Sequence, residues 1–251
     1  MDLLIDVGNT NLKWAPCKSG VVGEMRTLRH CGGLPIDLHA AWEQLASPER
    51  ILVANVGGET LATVLEQACR AHWGIAPRFA RTLAHAHGVR VAYQHPSRLG
   101  VDRWLALIAA HHACAAPLLV IDAGTAITYD LLLADGRHLG GLILPGVDMM
   151  RSSLIKGTRI PQVEPTETAR PWASDTGAAI AAASLQAPAA LAERLYGHLA
   201  AETGGIPQIL ATGGDAERLL PAIPCPSRHI PDLVLRGLAR LGGESQPGSI
   251  T

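Results

Sequence analysis

Aromatic side chains are scarce: they make up 4% of the 251 residues, and only one of them is phenylalanine. A core must therefore be packed from Ala, Leu, Ile and Val, which an apolar fraction of 48% supplies. Charge is scarce too. Asp, Glu, Lys and Arg together are 17% of the chain, the net charge is −1, and no long basic run occurs. That balance argues against an electrostatic nucleic-acid surface. No stretch of about 20 uncharged apolar residues is free of His, Pro or Asp, so no membrane helix is expected. No basic segment precedes an apolar run at the N-terminus, so no signal peptide is expected either. The five cysteines are odd in number and scattered, with no C-x-x-C. They point to a reduced, cytoplasmic protein rather than a disulfide framework. The G-x-x-x-x-G-K-[ST] phosphate loop is also missing.

What is present is a short pattern that occurs twice. At the N-terminus, MDLLIDVGNTNLKW, an apolar run ends in Asp6, followed by Gly8, Asn9 and Thr10 and an alternating segment to Trp14. This reads as strand, turn, strand. The turn carries little side-chain bulk, so its backbone N–H groups can approach a phosphate, with the Thr10 hydroxyl and Lys13 nearby. Asp6, at the end of a buried strand, is a candidate Mg²⁺ ligand. The other reading of this stretch alone is an ordinary hairpin. Nearly half the chain further on, LLVIDAGTAITYD repeats the pattern with Asp122, Gly124, Thr125 and Thr128. Two such hairpins, each opening a half of similar length, indicate a duplicated unit, with boundaries expected at residues 1–116 and 117–251.

Between and after the hairpins, strand-like and helix-like segments alternate, which predicts an α/β fold. Helical spacing covers residues 37–47 and 59–73, and RILVANV at 50–56 reads as a buried strand. His85 and His87 form an H-x-H, read as two surface histidines rather than a metal site. Leu99-Gly100-Val101-Asp102-Arg103-Trp104 leads into a helix. Asp102 there is either a first-turn cap and dipole partner or a general base, with Arg103 binding an anion. In the second half, LGGLILPG at 139–146 reads as a strand with close backbone contacts, 147–160 as a helix and 161–173 as a functional loop. Thr176 either caps the next helix or holds a ligand. Pro188 is expected to break or kink that helix between 178–187 and 189–203. A strand ending in Thr212-Gly213-Gly214 offers a platform for a base or ribose. Residues 232–241 read as a terminal helix, and the last ten residues as disordered.

Taken together, five blocks in order resemble the type III pantothenate kinases: DVGNTNLK at 6–13, GVDR at 100–103, IDAGTAIT at 121–128, GGLILPG at 140–146 and TGG at 212–214. The C-terminal PDLVLRGL at 231–238 also looks like that family's ending. The resemblance implies two duplicated actin-like (ribonuclease H-like) halves, each a mixed sheet with flanking helices, and a nucleotide in the cleft. It implies that Asp6, Val7, Gly8, Asn9, Thr10, Asn11, Leu12 and Lys13 form the first phosphate block, and that Thr125 contacts the nucleotide. Tyr93, Gly100, Val101, Asp102, Arg103 and Thr176 would bind pantothenate, with Asp102 as the base. Asp122 would hold a monovalent cation, K⁺ or NH₄⁺, alongside ATP with Mg²⁺ (Asp6). The implied enzyme is a cytoplasmic homodimer making 4′-phosphopantothenate, the first step of coenzyme A synthesis, with no nucleic-acid or membrane partner. The sequence departs from the family at 179–190, AIAAASLQAPAA, where Ala183 replaces a usual glycine; the departure bears on interface packing more than on chemistry. The alternatives are another kinase of the same superfamily, a polyphosphate hydrolase, or a non-catalytic relative that regulates transcription.

Overall fold

The computed structural model describes residues 1–30, 32–160 and 172–243. The chain divides into two compact units, Met1–Ala113 together with the C-terminal segment from Asp232, and Cys114–Pro231. A single cut at 117 therefore does not describe it, because the terminal helix belongs with the first half.

In the first unit, β1 (Asp2–Val7) and β2 (Asn11–Lys18) form the opening hairpin. Two short strands follow, β3 (Val21–Val22) and β4 (Arg26–Arg29), then β5 (Arg50–Asn55) and β6 (Arg78–Phe79). The sheet runs β3-β2-β1-β5-β6, with β4 also on β2; β1 and β5 are parallel, and the hairpin is antiparallel. Strand residues point alternately to the two faces. Leu3, Ile5, Val7, Ile51 and Val53 form one core with helices α1 (Asp37–Glu43) and α2 (Glu59–Trp73). The other face of β1 and β5 carries α7 (Leu233–Gly243). Being covered on both faces explains why β1 and β5 read as unbroken apolar runs. Helix α7 lies against α3 (Val101–Ala113) so closely that a Cβ on Gly237 would come within 2.6 Å of the Leu105 carbonyl carbon.

The short hairpin β7 (His85–Ala86) and β8 (Val89–Arg90) corrects the reading of the H-x-H. His87 and Gly88 make its two-residue turn, both with positive φ, +49° and +79°. That is the geometry a tight hairpin of native twist requires. It leaves His85 exposed but buries His87, so the two are not a surface pair.

In the second unit, β9 (Leu118–Ala123), β10 (Ala126–Leu132), β11 (His138–Pro145), β12 (Gln208–Thr212) and β13 (Ser227–His229) form a sheet in the order β11-β10-β9-β12-β13. Strand by strand this repeats the first sheet: an antiparallel hairpin at the centre, a parallel neighbour on one side and an antiparallel edge on the other. Its core packs against α4 (Val147–Gly157), α5 (Thr176–Thr203) and α6 (Ala216–Leu219). Helix α5 is a single helix running through Pro188, not two pieces. Pro188 removes one helical hydrogen bond, but it is buried, and its carbonyl accepts the Tyr129 hydroxyl at 2.9 Å, which ties the helix to the sheet. The expected functional loop at 161–173 falls mostly outside the described residues, as does the tail beyond 243. Among the described residues no helix is long and apolar enough to cross a membrane.

Candidate active site

The β1–β2 register sets Asp6 opposite Lys13. Cross-strand partners share a face, so the near-buried Asp6 carboxylate and the Lys13 side chain leave the sheet on the same side. The turn between Val7 and Leu12 is closed by Gly8 N–H donating to the Asn11 carbonyl at 3.0 Å. Asn9, at its tip, is exposed. Two elements hold this turn from outside. The chain leaving β4 places His30 beside it: the His30 backbone N–H donates to the Thr10 carbonyl at 2.8 Å, and its ring Nε2 lies 2.9 Å from the Gly8 carbonyl. On the other side, Asn55 at the end of β5 shapes a turn by accepting from Gly57 N–H and donating to the Gly58 carbonyl, both at 3.0 Å. This brings Gly57 so close that a Cβ there would sit 3.1 Å from the Gly8 carbonyl. Nothing in the sequence reading pointed to His30 or Asn55.

The second hairpin uses the same plan with one residue fewer. Val7 pairs with Leu12 in the first, but Ala123 pairs with Ile127 in the second, so the turn is shorter. Asp122 sits between Thr128 on β10 and Thr212 on β12. Gly213, at φ +92°, has space for no side chain: a Cβ would lie 2.5 Å from Asp122 Oδ1 and run into the Ala123 carbonyl. Gly146, just past β11, donates its N–H to the Thr125 carbonyl at 2.9 Å, as His30 does to Thr10. Thr125 is exposed at the turn. The Thr212 hydroxyl donates to the Pro231 carbonyl at 3.2 Å, so its role is internal to the unit.

Residues predicted to take the second substrate fall into two groups. Gly100 opens α3, with its carbonyl accepting the Trp104 N–H at 3.1 Å. Asp102, the second residue of the helix, therefore is not its cap; Oδ1 instead accepts the N–H of Arg103 at 2.8 Å. Arg103 is nearly buried, and its guanidinium donates to the Tyr93 hydroxyl at 3.3 Å. The fold thus unites Tyr93 with the GVDR block, which lies seven to ten positions further along the chain. Thr176 belongs to the second unit and is exposed at the first position of α5. The cap of that helix is Asp175, whose Oδ1 accepts from Ala178 N–H at 2.9 Å, so the hydroxyl of Thr176 is not spent on capping.

Cation binding can be judged from the same residues. Among the described residues no three or more His, Cys, Asp or Glu side chains gather as a metal cage. A single carboxylate such as Asp6 suits Mg²⁺ that arrives with phosphates and keeps several waters. Asp122 Oδ1, packed against the glycine backbone at 213, offers the hard oxygen donor that an alkali cation prefers.

The family model for type III pantothenate kinase matches residues 2–198. A type III pantothenate kinase of Nitrosococcus oceani is 41% identical, covering 98% of this chain and 95% of that one. Among solved structures, a Sinorhizobium meliloti protein named as a 2-dehydro-3-deoxygalactonokinase superposes with a TM-score of 0.62 at 14% identity, covering 98% and 97% of the two chains. A Campylobacter jejuni protein named as a Baf family transcriptional activator does so with a TM-score of 0.56 at 21% identity, covering 95% and 96%. The two structural likenesses speak for the fold alone, an α/β architecture. The match along the sequence decides the family: this chain belongs to the type III pantothenate kinases.

Proposed function

We propose that the chain transfers the γ-phosphoryl group of ATP to the primary hydroxyl of pantothenate, giving 4′-phosphopantothenate and ADP, the first step of coenzyme A synthesis in the cytoplasm. The observation that carries this reading is the start of α3, where Asp102 is held on the helix's first turn and Arg103 is fixed by Tyr93. Phosphoryl transfer needs positioning and charge neutralisation more than covalent chemistry. Asp102 takes the hydroxyl proton, the alkoxide oxygen attacks the γ-phosphorus, and the bond to the β-phosphate oxygen breaks as ADP leaves. The Arg103 guanidinium, with Tyr93, Gly100 and Val101, fits the carboxylate end and the polar body of pantothenate, and Thr176 adds a hydroxyl. The turn from Asp6 to Lys13 presents N–H groups, a hydroxyl and an ammonium group to the phosphates, and Thr125 is a nucleotide contact. Mg²⁺ near Asp6 and K⁺ or NH₄⁺ near Asp122 would offset phosphate charge when bound.

A homodimer completes the proposal. In the second unit, Leu142 and Ile143 on edge strand β11 and Met149 and Leu154 on α4 are exposed. Apolar groups concentrated along one strand and helix favour a partner surface.

The test is direct. Purified protein with ATP, Mg²⁺ and K⁺ is expected to convert pantothenate to its phosphate, seen as ADP release and as the product mass. Absence of product from folded protein overturns the assignment. Asp102→Asn should lower kcat by about 10²-fold or more while ADP still binds; turnover near wild type would return Asp102 to a purely structural role. Na⁺ in place of K⁺ should depress the rate, and an unchanged rate would remove the cation from Asp122.

A further inference from the structure

The two hairpins are internal controls for one another. In each, the residue that follows the antiparallel edge strand donates its backbone N–H to the carbonyl of the turn threonine: His30 to Thr10, and Gly146 to Thr125. At the second hairpin only glycine fits, because a Cβ on residue 146 would collide with the Gly124 carbonyl and lie 2.6 Å from the Thr125 carbonyl. At the first hairpin the turn is one residue longer, and the equivalent position carries a buried imidazole bonded to the Gly8 carbonyl.

We infer that His30 is a positioning residue that aims the backbone N–H groups of the first turn at the nucleotide phosphates. The inference rests on the reading of residues 6–13 as the phosphate block. The ring's hydrogen bonds fix its tautomer. Gly32 N–H donates to Nδ1 at 3.3 Å, so Nδ1 is an acceptor, the proton is on Nε2, and Nε2–H donates to the Gly8 carbonyl at 2.9 Å. In a trans peptide the C=O and the following N–H point in opposite directions. With the Gly8 carbonyl drawn onto the buried ring, the Asn9 N–H is turned away from it, towards the exposed side of the turn. The backbone bond from His30 to Thr10 restrains a second carbonyl of the same turn, two residues on. Gly57, pressed against the Gly8 carbonyl from the β5 side, blocks a retreat of that peptide. Both turns are closed by a backbone bond, Gly8 N–H to the Asn11 carbonyl and Gly124 N–H to the Ala126 carbonyl, each at 3.0 Å, but only the longer one has the added side-chain brace.

His30 touches no substrate in this scheme, so the test has to separate aim from mere stability. His30→Ala should raise the KM for ATP and the Kd for ADP about tenfold, the usual value of one hydrogen bond. The KM for pantothenate should move less than twofold. His30→Gln, whose amide can donate to Gly8 and accept from Gly32, should recover most of the affinity. If His30→Ala does not fold, His30→Asn, whose amide stops short of Gly8, replaces it in the same comparison. Amide exchange in a peptide spanning residues 1–14 should quicken in the Ala or Asn variant without ligand, and not in the Gln variant. Equal effects on both substrates, or a Gln variant as impaired as the Ala variant, overturn the inference. Lys13→Ala separates it from its premise. If Lys13→Ala weakens ADP and His30→Ala does not, only the role of His30 is lost; if neither weakens ADP, the phosphate site itself is misassigned.

Discussion

Adding one methyl group at Gly100 should disable Asp102 without replacing it. A Cβ on Gly100 would lie 2.5 Å from Asp102 Oδ1, where ordinary contact begins near 3.4 Å. The obstacle is the end of a flexible side chain, so the carboxylate gives way rather than the helix, retreating by about 0.9 Å on those distances. That swing draws Oδ1 off the Arg103 N–H it accepts at 2.8 Å. A displacement of about 1 Å in a reacting group costs up to about 10²-fold, so Gly100→Ala should lower kcat about 10- to 100-fold, or about 1.4 to 2.7 kcal/mol of barrier. Gly100 is not in the left-handed region, and alanine at a helix-capping position costs about 1 kcal/mol or less relative to glycine. The melting temperature should therefore fall by only about 2–4 °C. ADP release at saturating ATP and pantothenate gives kcat, and the KM for ATP should stay within about twofold. The double variant with Asp102→Asn is the decisive control: if the methyl acts through the carboxylate, it adds nothing once the carboxylate is gone. A kcat within threefold of wild type, or full additivity in the double variant, refutes the reasoning.

Gly213→Ala is expected to damage stability and the second hairpin together. It combines a positive φ of +92° with a collision against the Ala123 carbonyl and Asp122 Oδ1, a loss of about 3 kcal/mol from strain and overpacking. Calorimetry should show a drop of about 6–12 °C, and any active protein should need more K⁺ for half-maximal rate; an unchanged melting curve would mean the backbone there is free to move. A pH dependence follows from Cys69, whose thiol in the first core is pushed by burial up to about 12. An unfolded thiol ionises near about 8.5, so between those values the unfolded chain binds fewer protons and stability falls as pH rises. This group contributes at most about 1.4 kcal/mol per pH unit to that slope and nothing below about pH 8. Urea unfolding of wild type and Cys69→Ala at pH 8 and pH 10 should give a shallower decline in the variant, and parallel declines would refute the cause.

The hairpins, the strand at β5 and the helix after GVDR were legible because their signals are local: buried parallel strands read as apolar runs, and a polar turn after an aspartate is conspicuous. The misreadings have non-local causes. Helix α7 looks like the end of the second half, yet alternation of elements does not say which sheet a terminal helix covers; the glycine at 237 that admits Leu105 becomes meaningful only in three dimensions. Pro188 reads as a helix breaker, but a buried proline whose carbonyl is taken by Tyr129 is held in place by tertiary packing. His87 reads as a surface histidine because nothing in H-x-H reveals the left-handed turn that buries it. Of the candidate site, GVDR and the two aspartates are candidates by motif. Tyr93 is a candidate through the family resemblance alone, and the fold sets its hydroxyl against Arg103. His30 escaped because its partners are backbone groups, which leave no mark in a sequence.

The duplication also explains why fold and acceptor are separable here. Both halves repeat one frame, an aspartate near the end of a central strand, a turn held by the N–H of the residue after the antiparallel neighbour of the hairpin, and a glycine that follows the parallel neighbour pressed against it: Gly57 on Gly8, Gly213 on Ala123. That frame is complete in each unit without any residue of GVDR, so it can be conserved in shape while the acceptor changes. Selectivity for the acceptor then has to sit outside the frame, on elements inserted between its strands. Helix α3 is such an element: it lies in the connection between the two sheets, and its first turn carries the carboxylate and the guanidinium. Exchanging the first turn of α3 and the segment around Tyr93 should therefore alter acceptor choice while leaving both hairpins intact, whereas changes at Gly57 or Gly213 should weaken the frame whatever the acceptor.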